Sequence, residues 1–181
     1  MVRNPTRSAL RSSDASVRYG IAESSLGPVL VGFSDHGVCA LLLLMGETSE
    51  VGVERLRELY PLALFERDDL LARSIASRVG SYLSGEDDCS DVKLDLSAGT
   101  GFRRKVWEAV RLIPRGETRS YGEIAEQVGS PRAARAVGSA CGANPIALLI
   151  PCHRVVGSGT SLGGYGWGLE RKLALLELEQ A

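Results

Sequence analysis

Residues 120–142 read SYGEIAEQVGSPRAARAVGSACG, two short helical patterns around a tight turn. Ser120 followed by Glu123 is a capping box, in which side chains and backbone donors at a helix start satisfy one another. Ile124 and Val128 give that helix an apolar face, and Gly129 ends it. Ser130-Pro131 then sets an N-cap residue before a proline at a first helical position, so a second helix is expected from Arg132 to about Gly142. The pair has the form of a helix-turn-helix, whose second helix enters a DNA groove, although helix pairs in plain bundles share this spacing. That second helix is made mostly of small residues, among them Ala133, Ala134, Ala136, Gly138 and Ala140, with Arg135 as a solitary long cation. Such a face suits close packing against a neighbouring helix. It equally suits close approach to a nucleic-acid groove.

Downstream, Asn144-Pro145 makes a turn and Ile146–Ile150 is an apolar run sized for burial. It delivers Pro151-Cys152-His153-Arg154-Val155-Val156. Pro151 biases Ile150 to an extended conformation and so holds Cys152 on a stiff backbone beside the core. Only a thiolate attacks, and a nearby imidazole or cation lowers a thiol's pKa, so Cys152 with His153 is a candidate nucleophile pair. A cysteine bordering an apolar run is also an ordinary core residue.

Upstream, Thr100 caps a helix whose Phe102, Val106, Val110 and Ile113 share one face, ended by Pro114 and Gly116. The composition changes at Ala98-Gly99-Thr100, which marks an expected domain boundary. Before it, Val17–Ser24, Gly27–Ser34 and Gly37–Leu44 read as an antiparallel meander. Two helical patterns follow, one around Val53, Leu56, Leu59 and Tyr60, the other from Leu70 to Leu83, then an acidic loop at Ser84–Ser90 and a short strand at Val92–Leu96. The division expected is a disordered leader over 1–16, an α/β unit over 17–97 and a mainly helical unit over 98–181.

The chain has 181 residues, 44% hydrophobic and 24% charged, which excludes a disordered protein and is enough to bury a core. No segment approaches the ~20 apolar residues of a membrane span, and residues 1–16 lack the apolar centre of a secretory signal, so a cytoplasmic protein is expected. Cys39, Cys89, Cys141 and Cys152 contain no CxxC pair, and neither a zinc ribbon nor a disulfide framework reads out. His36 with Cys39 reads as a hairpin turn beside a buried cysteine rather than as a metal ligand pair. The net charge of −1 divides unevenly: residues 1–97 carry ten Lys and Arg against fifteen Asp and Glu, residues 98–181 eleven against seven. The second half is the basic one, which suits an anionic partner.

SYGEIA, RAVG, ANP, PCHRVV and GYGWGLERK, in this order from Ser120 to Arg171-Lys172, resemble the O6-alkylguanine-DNA alkyltransferase (methylated-DNA–protein-cysteine methyltransferase) family. The last string is most similar to its bacterial adaptive-response branch. The resemblance implies a ribonuclease H-like N-terminal unit and a winged-helix-like unit carrying the helix-turn-helix. It implies Cys152 as alkyl acceptor, His153 taking the thiol proton through a water, Glu179 orienting that imidazole and Asn144 bracing the turn. Tyr121 would press on a phosphate, Arg135 would fill the stack left by an extruded nucleotide, and Arg132, Ala133 and Ala134 would line the DNA face. Tyr165 and the backbone of Val155 and Ser158 would contact the base. Trp167 departs from the small residues usual at its place and bears on pocket width. The implied partner is double-stranded DNA, bound through the minor groove without sequence preference by a monomer, with O4-alkylthymine a poorer substrate than O6-alkylguanine, no cofactor and one turnover per chain. A Cys-His thiol hydrolase would need an oxyanion-hole motif, which the sequence lacks. A purely DNA-binding module would have no need of Cys152.

Overall fold

The computed structural model describes residues 16–44, 46–159 and 161–180; apart from Ser16, the leader expected over 1–16 lies outside the described residues. In chain order the elements are β1 (Ser16–Ser24), β2 (Gly27–Ser34), β3 (Gly37–Leu43), α1 (Ser49–Leu59), β4 (Leu64–Arg67), α2 (Asp69–Ser84), α3 (Gly101–Arg111), β5 (Arg119–Ser120), α4 (Tyr121–Gln127), α5 (Ala134–Gly142), β6 (Val155–Val156) and α6 (Leu169–Gln180). A single 3₁₀ turn, Cys152–Arg154, precedes β6. This is an α/β fold with a small mixed sheet, and no helix among the described residues is long and apolar enough to cross a membrane.

The meander forms as read. β1 and β2 close around Ser25-Leu26, where the Ser24 hydroxyl donates to the Gly27 carbonyl. β2 and β3 close around Asp35-His36, so His36 is a turn residue. Gly37 is required there: its φ is 133°, and a Cβ would lie 2.3 Å from the Lys93 carbonyl oxygen. The sheet itself is not wholly antiparallel. β4 pairs in parallel with β1, from Ser16 opposite Leu64 to Tyr19 opposite Arg67, giving the order β3-β2-β1-β4. Four residues between two helices are too few for a twofold alternation to stand out, so nothing in the sequence of Leu64–Arg67 announces a strand. Val92–Leu96 makes one bridge, Leu94 to Val38, instead of a strand. The Asp95 carboxylate accepts from Ser34 Oγ (2.6 Å) and from the Ser97 amide (2.9 Å), and this turns the chain away after a single rung.

β2 and β3 are covered on both faces, so they read as continuous apolar runs rather than alternating ones. Leu30, Leu42 and Leu44 pack with Leu56 of α1 and with Tyr60, just after it. On the other face Val29, Val31, Leu41 and Leu43 join Val79 of α2, Val106 and Trp107 of α3, Ile124 of α4, Val137 of α5 and Ile150 in one core, which runs unbroken across residues 97 and 98.

The Ser120 capping box is present, with Glu123 N donating to Ser120 Oγ (3.1 Å) and Ser120 N to Glu123 Oε2 (2.7 Å). Thr100 likewise caps α3 through the Arg103 amide. The second helix of the pair starts at Ala134, not Arg132. Ser130–Ala133 closes a turn of its own, with Ala133 N donating to Ser130 O (2.8 Å), and Ala133 (φ −98°, ψ 20°) is the uncapped start of the helix. α5 is fixed from below by Trp107, whose Nε1 donates to the Ala140 carbonyl (2.8 Å).

Candidate active site

The run Ile146–Ile150 is fastened to the sheet: Leu41 N donates to Pro145 O (2.8 Å) and Ala147 N to Leu41 O (3.0 Å). Leu148, at φ 66°, bends the run so that Ile150 N returns to Ile146 O (3.0 Å). Asn144 ties this bend together. Its Oδ1 accepts from Ile146 N (2.9 Å), and its Nδ2 donates both to Ile150 O (2.9 Å) and to Cys152 Sγ (3.2 Å). The sulfur therefore sits on a rigid backbone with one fixed donor. Burial pushes the Cys152 thiol up, while the Asn144 bond and the positive charge of Lys172 act in the opposite sense.

His153 is fully buried, and its Nε2 lies 2.8 Å from Glu179 Oε1. Glu179 is two residues from the end of the chain, yet its side chain is only 2% exposed. Although burial alone would push its carboxyl up, hydrogen bonds from His153 and Arg154 hold it down at about 2. An ionised carboxylate only accepts, so Nε2 carries the proton and the neutral ring presents Nδ1 as a free lone pair. Burial lowers the imidazole pKa, and Nδ1 is buried without a partner among the described residues. A neutral ring in this setting can take up a proton at Nδ1, and the carboxylate lies where it would stabilise the resulting cation.

These shifts carry a stability consequence. His153 resists charging in the folded state, so stability should begin to fall below pH ~6.5, where the unfolded chain takes up a proton that the fold refuses. Glu179 adds a second loss between about pH 4.5 and 2, worth roughly 3 kcal/mol, as its folded-state carboxylate is protonated. Urea midpoints measured from pH 8 to pH 3 should decline in that order; a midpoint flat across the window would contradict it.

A cavity of about 740 Å³ opens over Cys152. Tyr121 from α4, Ala134 and Arg135 from α5, and Ser158 and Tyr165 from the loop before α6 line it together with Cys152. Residues read separately from the helix pair and from the PCHRVV string thus meet in one place. Arg132 and Ala133 stay outside the cavity wall, Arg132 exposed. Val155 is buried, its amide donating to Cys152 O and its carbonyl accepting from Lys172 Nζ. Trp167 does not line the cavity; its ring meets that of Tyr165 at a tilt of 60°, with centroids 5.4 Å apart. Like His153 Nδ1, the Tyr165 hydroxyl is buried without a partner among the described residues. Cys141 is on the cavity wall, its thiol pushed up to about 12 by burial.

The loop wall is held by Lys172, which is fully buried and donates to the carbonyls of Val155, Leu162 and Gly164. Tyr121 donates to Gly164 O (3.3 Å), and its ring occupies the space where a Cβ on Gly163 would stand, 2.6 Å away. Lys172, Arg154 and Tyr82 are the site residues that sequence reading did not single out. Arg154 stood inside PCHRVV, but a charged residue read from sequence gives no sign of burial.

Three comparisons bear on this geometry. The family model for the 6-O-methylguanine DNA methyltransferase DNA-binding domain matches residues 101–181. The methylated-DNA–protein-cysteine methyltransferase of Methanosarcina acetivorans is 40% identical over 161 residues, 89% of this chain and 97% of that protein. The chain belongs to the methylated-DNA–protein-cysteine methyltransferase family. Within the wider similarity that the methyltransferase family shares, the bifunctional transcriptional activator and DNA repair enzyme Ada of Escherichia coli K12 is 42% identical over 164 residues, 91% of this chain. The match spans 46% of Ada, so the chain covers about half the length of that relative. A crystal structure of Mycobacterium tuberculosis OGT in complex with DNA superposes with a TM-score of 0.74 at 42% identity, covering 90% of this chain and 92% of that one.

Proposed function

We propose that the chain repairs alkylated DNA by direct reversal, moving the alkyl group from O6 of guanine, and less well from O4 of thymine, to Cys152. The observation that carries this reading is the cavity itself, with a buried thiol at its base and Tyr121 and Arg135 from the helix pair on its rim. A base inside the stack offers no path to a sulfur that is 4% exposed, so the nucleotide must leave the duplex at a cost of a few kcal/mol. Arg135 offsets that cost by entering the vacated stack from the minor groove, where the small residues Ala133 and Ala134 permit close approach and Arg132 meets the backbone. Tyr121 steers the phosphate, and Ser158 and Tyr165 contact the extruded base. In the chemical step the Cys152 proton passes through a water to His153 Nδ1, an S–C bond forms, the C–O6 bond breaks, and the leaving guanine takes up a proton. The thioether has no easy reversal, so each chain acts once and needs no cofactor. The reading extends to a cytoplasmic monomer bound without sequence preference, with a ribonuclease H-like unit over 17–97 supporting a winged-helix-like unit over 98–181.

Intact-mass measurement after incubation with an O6-methylguanine duplex tests this directly. One methyl group per chain, mapped to Cys152, is the expected result; repeated turnover, or label on Cys141, would defeat it. Arg135→Ala separates extrusion from chemistry. Repair of duplex DNA should slow by roughly ten- to a hundredfold, in line with a few kcal/mol of flipping cost, while reaction with free O6-benzylguanine stays near the parent rate. Equal losses on both would remove the flipping role.

A further inference from the structure

The carboxylate of Glu179 holds more than His153. Arg154 Nε donates to its Oε2 (2.9 Å) and Nη2 to its Oε1 (2.8 Å), and the Tyr82 hydroxyl approaches the same Oε1 at 3.2 Å. Every other group of this cluster lies after residue 150, whereas Tyr82 belongs to α2, in the first half of the chain. Its orientation is forced. Arginine can only donate and an ionised carboxylate only accept, so the single hydroxyl receives Arg154 Nη2 and gives its hydrogen to Glu179 Oε1. That oxygen is also the one that takes the proton of His153 Nε2. Three donors therefore share one oxygen, His153 Nε2, Arg154 Nη2 and the Tyr82 hydroxyl, and each weakens the hold of that oxygen on the others.

We infer that Tyr82 is a positioning residue for alkyl transfer, whose hydroxyl, supplied from the other half of the molecule, sets how strongly Glu179 holds the His153 imidazole. The inference rests on the proposed role of His153 as the base. Burial pushes the Tyr82 phenol above its usual range, so it stays a donor at every pH where transfer runs. The charged and titratable groups around the relay are Arg154 from the 3₁₀ turn, Glu179 and Lys172 from α6, Tyr165 from the loop, and Arg115, whose Nη1 donates to the Tyr82 carbonyl (2.8 Å). Lys172 and the Cys152 thiol bear on the alkaline limb of a rate profile; the acid limb belongs to His153.

Tyr82→Phe removes the hydroxyl and keeps the ring, which also lies against the Arg154 guanidinium at 5.8 Å. With one donor gone, Glu179 grips His153 harder and favours the imidazolium, so transfer should fail at a higher pH. The rate of methyl uptake from an O6-methylguanine duplex, measured from pH 5 to pH 9 on the full chain, should show the acid limb displaced upward by about one unit. The variant is then about tenfold slower on the limb and unchanged on the plateau. Difluorotyrosine incorporated at position 82, a stronger donor, should move the limb the other way. A profile unmoved by either replacement overturns the inference, as does a uniform loss at all pH values accompanied by a lower melting temperature. His153→Gln separates the two levels: if the parent's acid limb persists in it, the base assignment falls and this inference falls with it. If the limb vanishes there but ignores position 82, only the role of Tyr82 is overturned.

Discussion

Glu179→Gln and His153→Ala are each expected to slow alkyl transfer by about 10²–10⁴-fold, with the double variant little slower than either alone. An unperturbed cysteine, with a pKa near ~8.5, is only a few per cent thiolate at neutral pH, and burial takes Cys152 further from ionisation. The Asn144 donor stabilises the thiolate but cannot remove its proton. The free Nδ1 of His153 can, provided that Nε2–H is fixed on Glu179, as the 2.8 Å contact requires. A glutamine at 179 has no charge to set against an imidazolium and can turn its amide nitrogen toward Nε2, favouring the wrong tautomer. Because the two residues act on one proton, removing the second after the first costs little. Single-turnover rates on a methylated duplex, with DNA affinity measured separately, would show this. Additive losses with binding intact would break the relay and leave Cys152 as the acceptor.

Arg154→Met is expected to cost about 3–5 kcal/mol of folding stability, the range for removing one member of a buried ion pair. The side chain is 6% exposed and donates to both oxygens of Glu179, to the Ile113 carbonyl and to the Tyr82 hydroxyl. Methionine fills the volume but leaves a buried carboxylate with no cation and a buried carbonyl with no donor. Lysine should recover little, since a point charge cannot reach both oxygens at once. The deficit should shrink as pH falls toward 2, where Glu179 loses its charge in both proteins. Denaturant unfolding checks this; a variant within about 1 kcal/mol of the parent at pH 7 would contradict it.

What could be read beforehand follows from the range of the forces concerned. The meander, the Thr100 cap and the Ser120–Glu123 box are local, each decided by residues within four positions of one another, and all formed as read. β4 depends on a partner strand 48 residues earlier in the chain, and nothing in Leu64–Arg67 announces it. α5 starts two residues later than the sequence implies because Ser-Pro can open either a helix or a turn, and here Ser130–Ala133 closes a turn first. In the candidate site, Cys152 and His153 stood together in the sequence, and Glu179 entered through a family resemblance. The burial of Arg154 was hidden because its justification, Glu179, Tyr82 and Ile113, lies from 25 to 72 residues away. Tyr82 looked like any apolar position on a helix face until its hydroxyl was found in the relay.

The ionised state of Glu179 also decides where a proton can travel. Nε2 already carries one, and a carboxylate held down by its bonds from His153 and Arg154 is a poor acceptor for another, so in the proposed relay a proton arriving at Nδ1 is not handed on to Glu179. That proposed relay is a cul-de-sac: a proton taken from the Cys152 side goes back to that side. In the proposed reaction this returns the thiol's hydrogen to the departing guanine, and the completed transfer neither releases protons to the buffer nor consumes them.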